Sequence, residues 1–158
     1  LRGLVGSEMC IRDRDNIEKA KSLLIENNIN LISVSSYYNT PSWPNPKNPD
    51  FINIVVKAKC VLEPEKLLDL CKLIESKLGR KKTPKNSPRE CDIDIIDYDA
   101  KIRRYGLILP HKMMHRRNFV LIPLFEIEKN WRHPITKTNI KKLIFSLPNK
   151  DIRSIKQI

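Results

Sequence analysis

Residues 51–60 constrain the fold most, because their apolar positions recur with the two-residue period of a β-strand. One set of alternate positions is wholly apolar and predicts a face in the hydrophobic core: Ile52, Ile54, Val56, Ala58 and Cys60. Phe51 and Asn53 fall on the opposite face. A flat heterocycle could stack there on Phe51 while the Asn53 amide reads its edge, although a single exposed Phe is also common on protein surfaces.

Capping residues, turn residues and apolar periodicity predict further elements on both sides of this strand. In chain order they are a helix over residues 15–28, a strand over 30–38, a helix over 64–79, strands over 91–98 and 101–109, and a short helix over 116–125 that Pro123 limits. Four prolines make residues 39–50 a long irregular loop. This order predicts an α+β sandwich with helices packed on one face of a mainly antiparallel sheet.

The length of 158 residues fits one domain, which we assign to residues 15–158, with a basic C-terminal extension after about residue 135. No apolar run approaches the roughly 18 residues that a membrane span needs. The four cysteines form no C-x-x-C pair, which favours buried free thiols over a disulfide framework or a zinc site. This predicts a cytoplasmic location, and no secretory signal is recognised at the start of the sequence.

The net charge of +12 favours a polyanionic partner, such as nucleic acid, an anionic membrane or a phosphate-rich ligand. The excess lies in three clusters, with +5 over residues 79–89, +3 over 111–117 and +5 over 137–158. The last cluster is expected to be a solvated face. Four glycines at these positions cannot form either of the common Gly-rich loops that cradle phosphates. Any bound phosphate must therefore be held by side chains.

Asp92 and Asp94 lie between the first two basic clusters. Strand periodicity places both carboxylates on one sheet face, whereas Asp97 has the opposite parity and is expected to be a surface or turn acid. Mg²⁺ is typically held by one or two carboxylates together with substrate phosphates. A pair of this kind is more often a solvated strand edge, but the flanking bases favour a metal site between two polyphosphate clamps.

Several segments, in this order, resemble one family. Residues 78–80, 88–95, 109–111 and 117–124 read L-G-R, P-R-E-C-D-I-D-I, L-P-H and R-N-F-V-L-I-P-L. They are similar to the 6-hydroxymethyl-7,8-dihydropterin pyrophosphokinase family of folate biosynthesis. Residues 35–41 and 49–53 resemble the strand and the pterin-pocket segments of that family. The similarity extends from about residue 16 to about residue 134.

The resemblance implies a ferredoxin-like α+β fold and transfer of the β,γ-diphosphate of ATP to the pterin hydroxymethyl group, with release of AMP. It implies that Asp92 and Asp94 bind two Mg²⁺ ions and that Arg89 acts with them as a catalytic residue. The implied pterin contacts are Thr40, Phe51, Asn53 and Phe119. The implied ATP contacts are Glu75, Lys82, Arg89, His111 and Arg117. A monomer with small-molecule substrates and no nucleic-acid or membrane partner is expected.

Two segments depart from the family pattern. The family opens with an apolar strand leading into Gly-Ser-Asn, whereas this chain has Glu8 at the Asn position and no strand periodicity. Residues 1–14 resemble translated sequencing-adapter sequence, so we expect a non-native or disordered segment and an enzyme impaired by loss of its first strand. The basic loop also has Asn86 and Ser87 where the family often has an aromatic residue and Gly.

Two other classes of function are compatible with parts of the sequence. A small basic RNA-binding α+β domain without catalysis would explain the charge and an exposed Phe51, but it predicts aromatic residues on adjacent strands. Its bases would also be spread over the sheet, whereas here they flank two acids. A two-metal nucleotidyl transferase with a different acceptor is the third possibility.

Overall fold

The computed structural model describes residues 2–10, 14–42, 47, 49–79 and 91–158, with the backbone alone for residues 2–10. The strands among these residues are β1 (Arg2–Cys10), β2 (Asn30–Val34), β3 (Tyr38–Thr40), β4 (Phe51–Lys59), β5 (Asp92–Tyr98) and β6 (Lys156–Gln157). The α-helices are α1 (Arg14–Glu26), α2 (Pro64–Lys77), α3 (Asn118–Ile127), α4 (Ile140–Phe145) and α5 (Asn149–Ser154). A single 3₁₀ turn over Met114–Arg116 precedes α3.

The six strands form one sheet, in which every pairing is antiparallel. The strand order is β5-β1-β4-β3-β6, and β2 also pairs with β4. β3 lies along the first part of β4 and β2 along its last part, so the strand predicted over residues 30–38 is divided in two. The predicted α+β fold with an antiparallel sheet is confirmed.

α1 and α2 cover one face of the sheet. Their buried apolar residues pack against the alternate positions of β4 and β5 that point the same way: Ile17, Leu24, Leu67 and Ile74 from the helices, and Ile54, Val56, Ala58, Ile93 and Ile95 from the strands. The predicted core face of residues 51–60 is therefore confirmed. Cys60, Cys71 and Cys91 are free, buried thiols.

α3 and α4 cover part of the opposite face, which corrects the expectation that all helices lie on one side. Val55 of β4 and Ile96 of β5 point to this face. They pack in a second buried cluster with residues of α3, α4 and the segments beside them: Met114, Val120, Leu121, Leu124, Trp131, Ile140 and Leu147. The apolar side chains on this second face of the strands give α3 and α4 a hydrophobic surface to pack against.

The expectation of a missing first strand is wrong for residues 2–10, which form β1. β1 lies inside the sheet and pairs with β4 on one side and β5 on the other. Alternation of polar and apolar residues is not required of a strand in a sheet that is covered by helices on both faces. The non-native origin of this segment stays a prediction.

The basic residues after about 135 are exposed, but the segment that carries them is integrated into the fold. Ile140 is buried, and the side chain of Asn139 caps α4 by accepting a hydrogen bond from the Lys142 N–H. β6 pairs with β3, and the Ile158 N–H donates to the Tyr37 carbonyl at 3.0 Å. The C-terminal residues therefore brace the outer edge of the sheet.

Three smaller predictions also need correction. Residues 101–109 make one isolated bridge, between Arg103 and Leu109, and no strand. Pro123 lies inside α3 and does not end it. Asp97 is buried, where its carboxylate accepts a hydrogen bond from the Trp131 indole at 2.9 Å. Among the described residues, no helix is long and apolar enough to cross a membrane.

Candidate active site

Asp92 and Asp94 lie on the face of β5 that carries α3. Ile93 and Ile95 belong to the main core, whereas Ile96 belongs to the second cluster, so Asp92 and Asp94, which alternate with Ile93 and Ile95, point toward α3. Both aspartates are half-buried. The predicted placement of two carboxylates on one strand face is confirmed by this geometry.

Glu75 of α2 supports the same strand from the opposite side. Its side chain is buried, and one carboxylate oxygen accepts a hydrogen bond from the Ile93 N–H at 2.7 Å. This contact holds α2 against the strand residue between the two aspartates. The sequence resemblance implies that Glu75 contacts ATP, and this contact stays a prediction.

Two basic side chains flank Asp94. The Arg117 guanidinium lies 3.4 Å from Asp94 Oδ2, and His111 Nε2 lies 3.9 Å from the same oxygen. Arg117 immediately precedes α3, and the His111 N–H donates to the Ile96 carbonyl at 2.8 Å, so both groups are fixed to elements beside β5. The sequence separates these three residues, but the fold brings them together.

The hydrogen bonds of His111 orient its ring. Its Nδ1 accepts from the Met113 N–H at 3.1 Å, which leaves the proton of the neutral imidazole on Nε2, facing Asp94. Burial lowers the pKa of His111, and the neighbouring Arg117 charge lowers it further, although Asp94 acts in the opposite direction. A neutral His111 in this orientation offers one N–H donor to an anion placed at Asp94.

A second group of predicted residues lies where β3 meets β4. Thr40 is opposite Phe51, and Tyr38 is opposite Asn53, so these four side chains share one sheet face. Asn53 is 1% exposed and its Nδ2 donates to Thr40 Oγ1 at 3.3 Å. Its Oδ1 is buried and has no hydrogen-bond partner within the described part of the chain. A buried acceptor of this kind fits a ligand that carries N–H donors on its edge.

α3 carries Phe119 over this face of the sheet. Phe119 is half-buried at the border of the second cluster, and the Arg117 guanidinium lies 5.4 Å from its ring centroid. Arg117 therefore contacts both Asp94 and Phe119. This double contact links the acidic pair to the aromatic residue proposed for the acceptor pocket.

The register of β1 aligns the two groups across the sheet. Glu8 pairs with Asp92 on one side and with Asn53 on the other, and Gly6 pairs in the same way with Asp94 and Val55. Asp92 and Asn53 therefore lie on one line perpendicular to the strands, two strand spacings or about 10 Å apart. A ligand of the size of a pterin joined to a phosphate chain can reach from one residue to the other.

The residues present fit Mg²⁺ that is shared with a polyphosphate. The described residues contain no group of three or more His, Cys, Asp or Glu side chains that could hold a metal ion. Two carboxylates on one strand face leave most coordination positions to water and phosphate oxygens, which is the usual arrangement for Mg²⁺. The Arg117 guanidinium can neutralise the same phosphates, and the Nε2–H of His111 can donate a hydrogen bond to them.

Two predicted residues cannot be placed, and one hydrogen-bond network beside the site was not predicted from the sequence. Lys82 and Arg89 lie outside the described residues. Sequence reasoning missed Glu126 of α3, whose carboxylate binds the start of β3 through Ser36 and Tyr38. Helix and strand periodicity cannot relate residues that are about 90 positions apart in the sequence. The only indication of this network was an acidic residue on the face of α3 that also carries Phe119.

The chain was compared with known proteins. Residues 4–129 match the model of the 7,8-dihydro-6-hydroxymethylpterin-pyrophosphokinase (HPPK) family. The 2-amino-4-hydroxy-6-hydroxymethyldihydropteridine pyrophosphokinase of Aquifex aeolicus is 39% identical over 119 residues, which cover 75% of this chain and 74% of that protein. The enzyme of the same name from Synechocystis is 36% identical over 132 residues, covering 82% of this chain and 67% of the relative.

Larger proteins match over part of their length. The Pneumocystis carinii folic acid synthesis protein fol1 is 35% identical over 128 residues, which are 80% of this chain and 17% of that protein. A crystal structure of Plasmodium falciparum HPPK-DHPS shares the fold, with a TM-score of 0.70 at 14% identity over 90% of this chain and 44% of that one. The family match and the two bacterial relatives show that this chain belongs to the 7,8-dihydro-6-hydroxymethylpterin-pyrophosphokinase family.

Proposed function

We propose that this chain transfers the β,γ-diphosphate of ATP to the hydroxymethyl group of 6-hydroxymethyl-7,8-dihydropterin and releases AMP. The observation that carries the proposal is the alignment of Asp92 with Asn53 across β1. This alignment sets an acidic pair flanked by bases beside the Asn53 Oδ1, a buried acceptor that has no hydrogen-bond partner among the residues that the structure describes. Membership of the pyrophosphokinase family names the reaction that these two groups serve.

In this reaction the pterin hydroxyl oxygen forms a bond to the β-phosphorus of ATP. The bond between that phosphorus and the α,β-bridging oxygen breaks, AMP leaves with the bridging oxygen, and the hydroxyl proton passes to solvent. Such a transfer needs positioning and charge neutralisation more than a covalent nucleophile. The residues of this chain are suited to those two tasks.

We assign the acceptor pocket to Thr40, Phe51, Asn53 and Phe119. The Asn53 Oδ1 accepts from an N–H group of the pterin edge, while Phe51 and Phe119 bind the two faces of the ring. Because Asn53 is buried and hydrogen-bonded to Thr40, its amide is held in one orientation before the pterin binds. This orientation lowers the entropic cost of recognition.

We assign the diphosphate site to Asp92, Asp94, His111 and Arg117, with Glu75, Lys82 and Arg89 as further contacts. Two Mg²⁺ ions on Asp92 and Asp94 would supply Lewis-acid stabilisation of the phosphoryl oxygens. Arg117 can exchange its ion pair with Asp94 for phosphate oxygens, and the His111 Nε2–H can donate to them. Arg89 is proposed as the third catalytic residue.

The proposal extends to the setting of the enzyme. We propose a cytoplasmic monomer that acts on small molecules and does not bind nucleic acid or membranes. The free, buried thiols of Cys60, Cys71 and Cys91 suit a reducing compartment. The RNA-binding alternative needs an open sheet face, whereas α3 and α4 occupy part of the face that carries Phe51.

The test is release of AMP by the full chain from ATP and Mg²⁺, with and without 6-hydroxymethyl-7,8-dihydropterin. We expect AMP that is strictly dependent on the pterin, with formation of an equal amount of pterin diphosphate. Release of ADP or of inorganic phosphate in place of AMP would contradict the proposal. Sequencing the chromosomal DNA that encodes residues 1–14 tests their proposed non-native origin, which an uninterrupted native reading frame would refute.

A further inference from the structure

Glu126 joins α3 to the start of β3 through a set of hydrogen bonds that the proposed chemistry does not use. Its Oε1 accepts from the Ser36 hydroxyl at 2.7 Å and from the Ser36 N–H at 3.0 Å. Its Oε2 accepts from the Tyr38 hydroxyl at 2.7 Å. Gln157 of β6 donates to the Ser36 hydroxyl at 2.9 Å, which ties the C-terminal strand to the same point.

The two ends of this network belong to the two walls of the acceptor pocket. Glu126 lies seven residues, or about two helical turns, after Phe119 and therefore on the same face of α3. Tyr38 lies opposite Asn53 in the sheet, two residues before Thr40. The carboxylate thus connects the helix that carries Phe119 to the strand that carries Thr40.

We propose that Glu126 is a positioning residue that sets the distance between these two walls and so determines pterin affinity. The inference rests on the proposed function, because it assigns the slot between Phe119 and the sheet to the pterin. Glu126 does not touch the substrate in this proposal. It acts through Ser36 and Tyr38.

The pKa of Glu126 and the burial of its partner support a charged carboxylate that is held in place by hydrogen bonds. Burial raises the pKa of Glu126, but the hydrogen bonds from Tyr38 and Ser36 outweigh it, so the pKa lies below its ordinary value. The Tyr38 side chain is buried although Glu126 is exposed, so the contact has one fixed partner. The carboxylate is therefore ionised at neutral pH and accepts from the Ser36 N–H and from the hydroxyls of Ser36 and Tyr38.

A second acid at the same end of α3 provides a matched control. Glu128 forms an ion pair with Lys57 of β4 and, among the described residues, no hydrogen bond or ion pair with β3. Glu126→Gln and Glu128→Gln each remove one negative charge within two positions of each other. Only the first replaces the acceptor of the Ser36 and Tyr38 hydrogen bonds.

The experiment measures steady-state AMP release while the pterin and ATP concentrations are varied separately. We expect Glu126→Gln to raise KM for the pterin about fivefold, equivalent to about 1 kcal/mol, which is the loss of one charge-assisted hydrogen bond at a partly exposed site. KM for ATP and kcat should stay within about twofold. Glu128→Gln should leave KM for the pterin within about twofold.

A second variant keeps the proposal falsifiable if Glu126→Gln folds poorly. Tyr38→Phe removes one donor and should raise KM for the pterin about two- to threefold, and adding it to Glu126→Gln should give less than the product of the single effects. An unchanged pterin KM in both variants of an active enzyme would overturn the inference, as would an equal rise with Glu128→Gln. An unmodified chain that releases no AMP would overturn the proposed function and the inference with it.

Discussion

Replacing Asp94 by Asn should separate the contribution of this carboxylate to folding from its contribution to catalysis. Asn keeps the shape of the side chain and removes the negative charge that faces Arg117 at 3.4 Å and His111 at 3.9 Å. The substitution tests whether Asp94 is mainly a partner for these bases or mainly a ligand for a cation.

The effect on stability should be small. The Asp94 and Arg117 side chains are 38% and 28% exposed, so solvent screens their ion pair. Exposed pairs of this kind contribute about 0.2–1 kcal/mol to the free energy of unfolding. For a chain of this size, such a loss lowers Tm by about 1–4 °C. Thermal unfolding followed by circular dichroism measures this shift.

The effect on catalysis should be large. If Asp94 is one of two carboxylates that hold the cations, as proposed, its loss removes several kcal/mol of phosphoryl charge stabilisation, and about 4 kcal/mol corresponds to a factor of about 10³ in rate. We therefore expect kcat/KM for AMP release to fall about 10³-fold in Asp94→Asn. Asp69→Asn, an exposed acid on α2, is the control and should leave the rate within about twofold.

The affinity for ATP in the absence of metal tests most directly whether Asp94 is a cation ligand. Without Mg²⁺ the Asp94 charge repels the triphosphate, so Asp94→Asn should bind ATP in EDTA about as tightly as the unmodified chain or up to about fivefold more tightly. Calorimetric titration measures this affinity. Weaker metal-free binding, or a rate within tenfold of the unmodified enzyme, would refute the assignment of Asp94 as a cation ligand.

Three further outcomes follow from the structure. Burial and Arg117 lower the pKa of His111, and a bound triphosphate should raise it again, so ATP binding near pH 6.5 should be accompanied by proton uptake. Calorimetry in buffers of different ionisation enthalpy measures this uptake. It should disappear in His111→Gln, and equal uptake by that variant would contradict the prediction. Trp131→Phe should lower the free energy of unfolding in urea by about 1–3 kcal/mol because it leaves the buried Asp97 carboxylate without its indole donor; a loss below about 0.5 kcal/mol would contradict this account. In a Cys10→Ser variant, no thiol should react with Ellman's reagent at pH 8 before unfolding, since the remaining cysteines are buried and the pKa of Cys71 is raised by burial to about 12; reaction of the folded variant would show that the core opens.

The parts of the fold that sequence could predict are those with a strong local period. Residues 51–59 alternate in a way that identifies one core face, and helical spacing in residues 64–77 identifies the stripe that packs on it. The pair Asp92 and Asp94 was located by the same two-residue rule. In each case a few neighbouring residues contain the whole signal.

The parts that sequence could not predict depend on contacts between distant residues. Asp97 was assigned to the surface because its parity differs from that of Asp94. The strand register shifts between Ile95 and Asp97, however, and the buried Asp97 carboxylate meets Trp131 of the second cluster. α4 has six residues and packs against α3 and the 3₁₀ turn, with Ile140 buried in the second cluster, so tertiary packing and not propensity stabilises it. β1 gave no alternation because it lies in a sheet that helices cover on both faces.

The structure also indicates how part of the positive charge could bind phosphate without a Gly-rich loop. A Gly-rich loop binds phosphate with backbone N–H groups, which no substitution of a side chain removes. In this chain the cluster over residues 111–117 instead places a guanidinium and an imidazole beside Asp94, where both can bind phosphate when the carboxylate turns to a cation. Asp94 and the bases therefore compensate each other in the absence of substrate. In a chain with a net charge of +12, we expect the same compensation to weaken binding of other polyanions at this site until a metal-bound triphosphate replaces both partners.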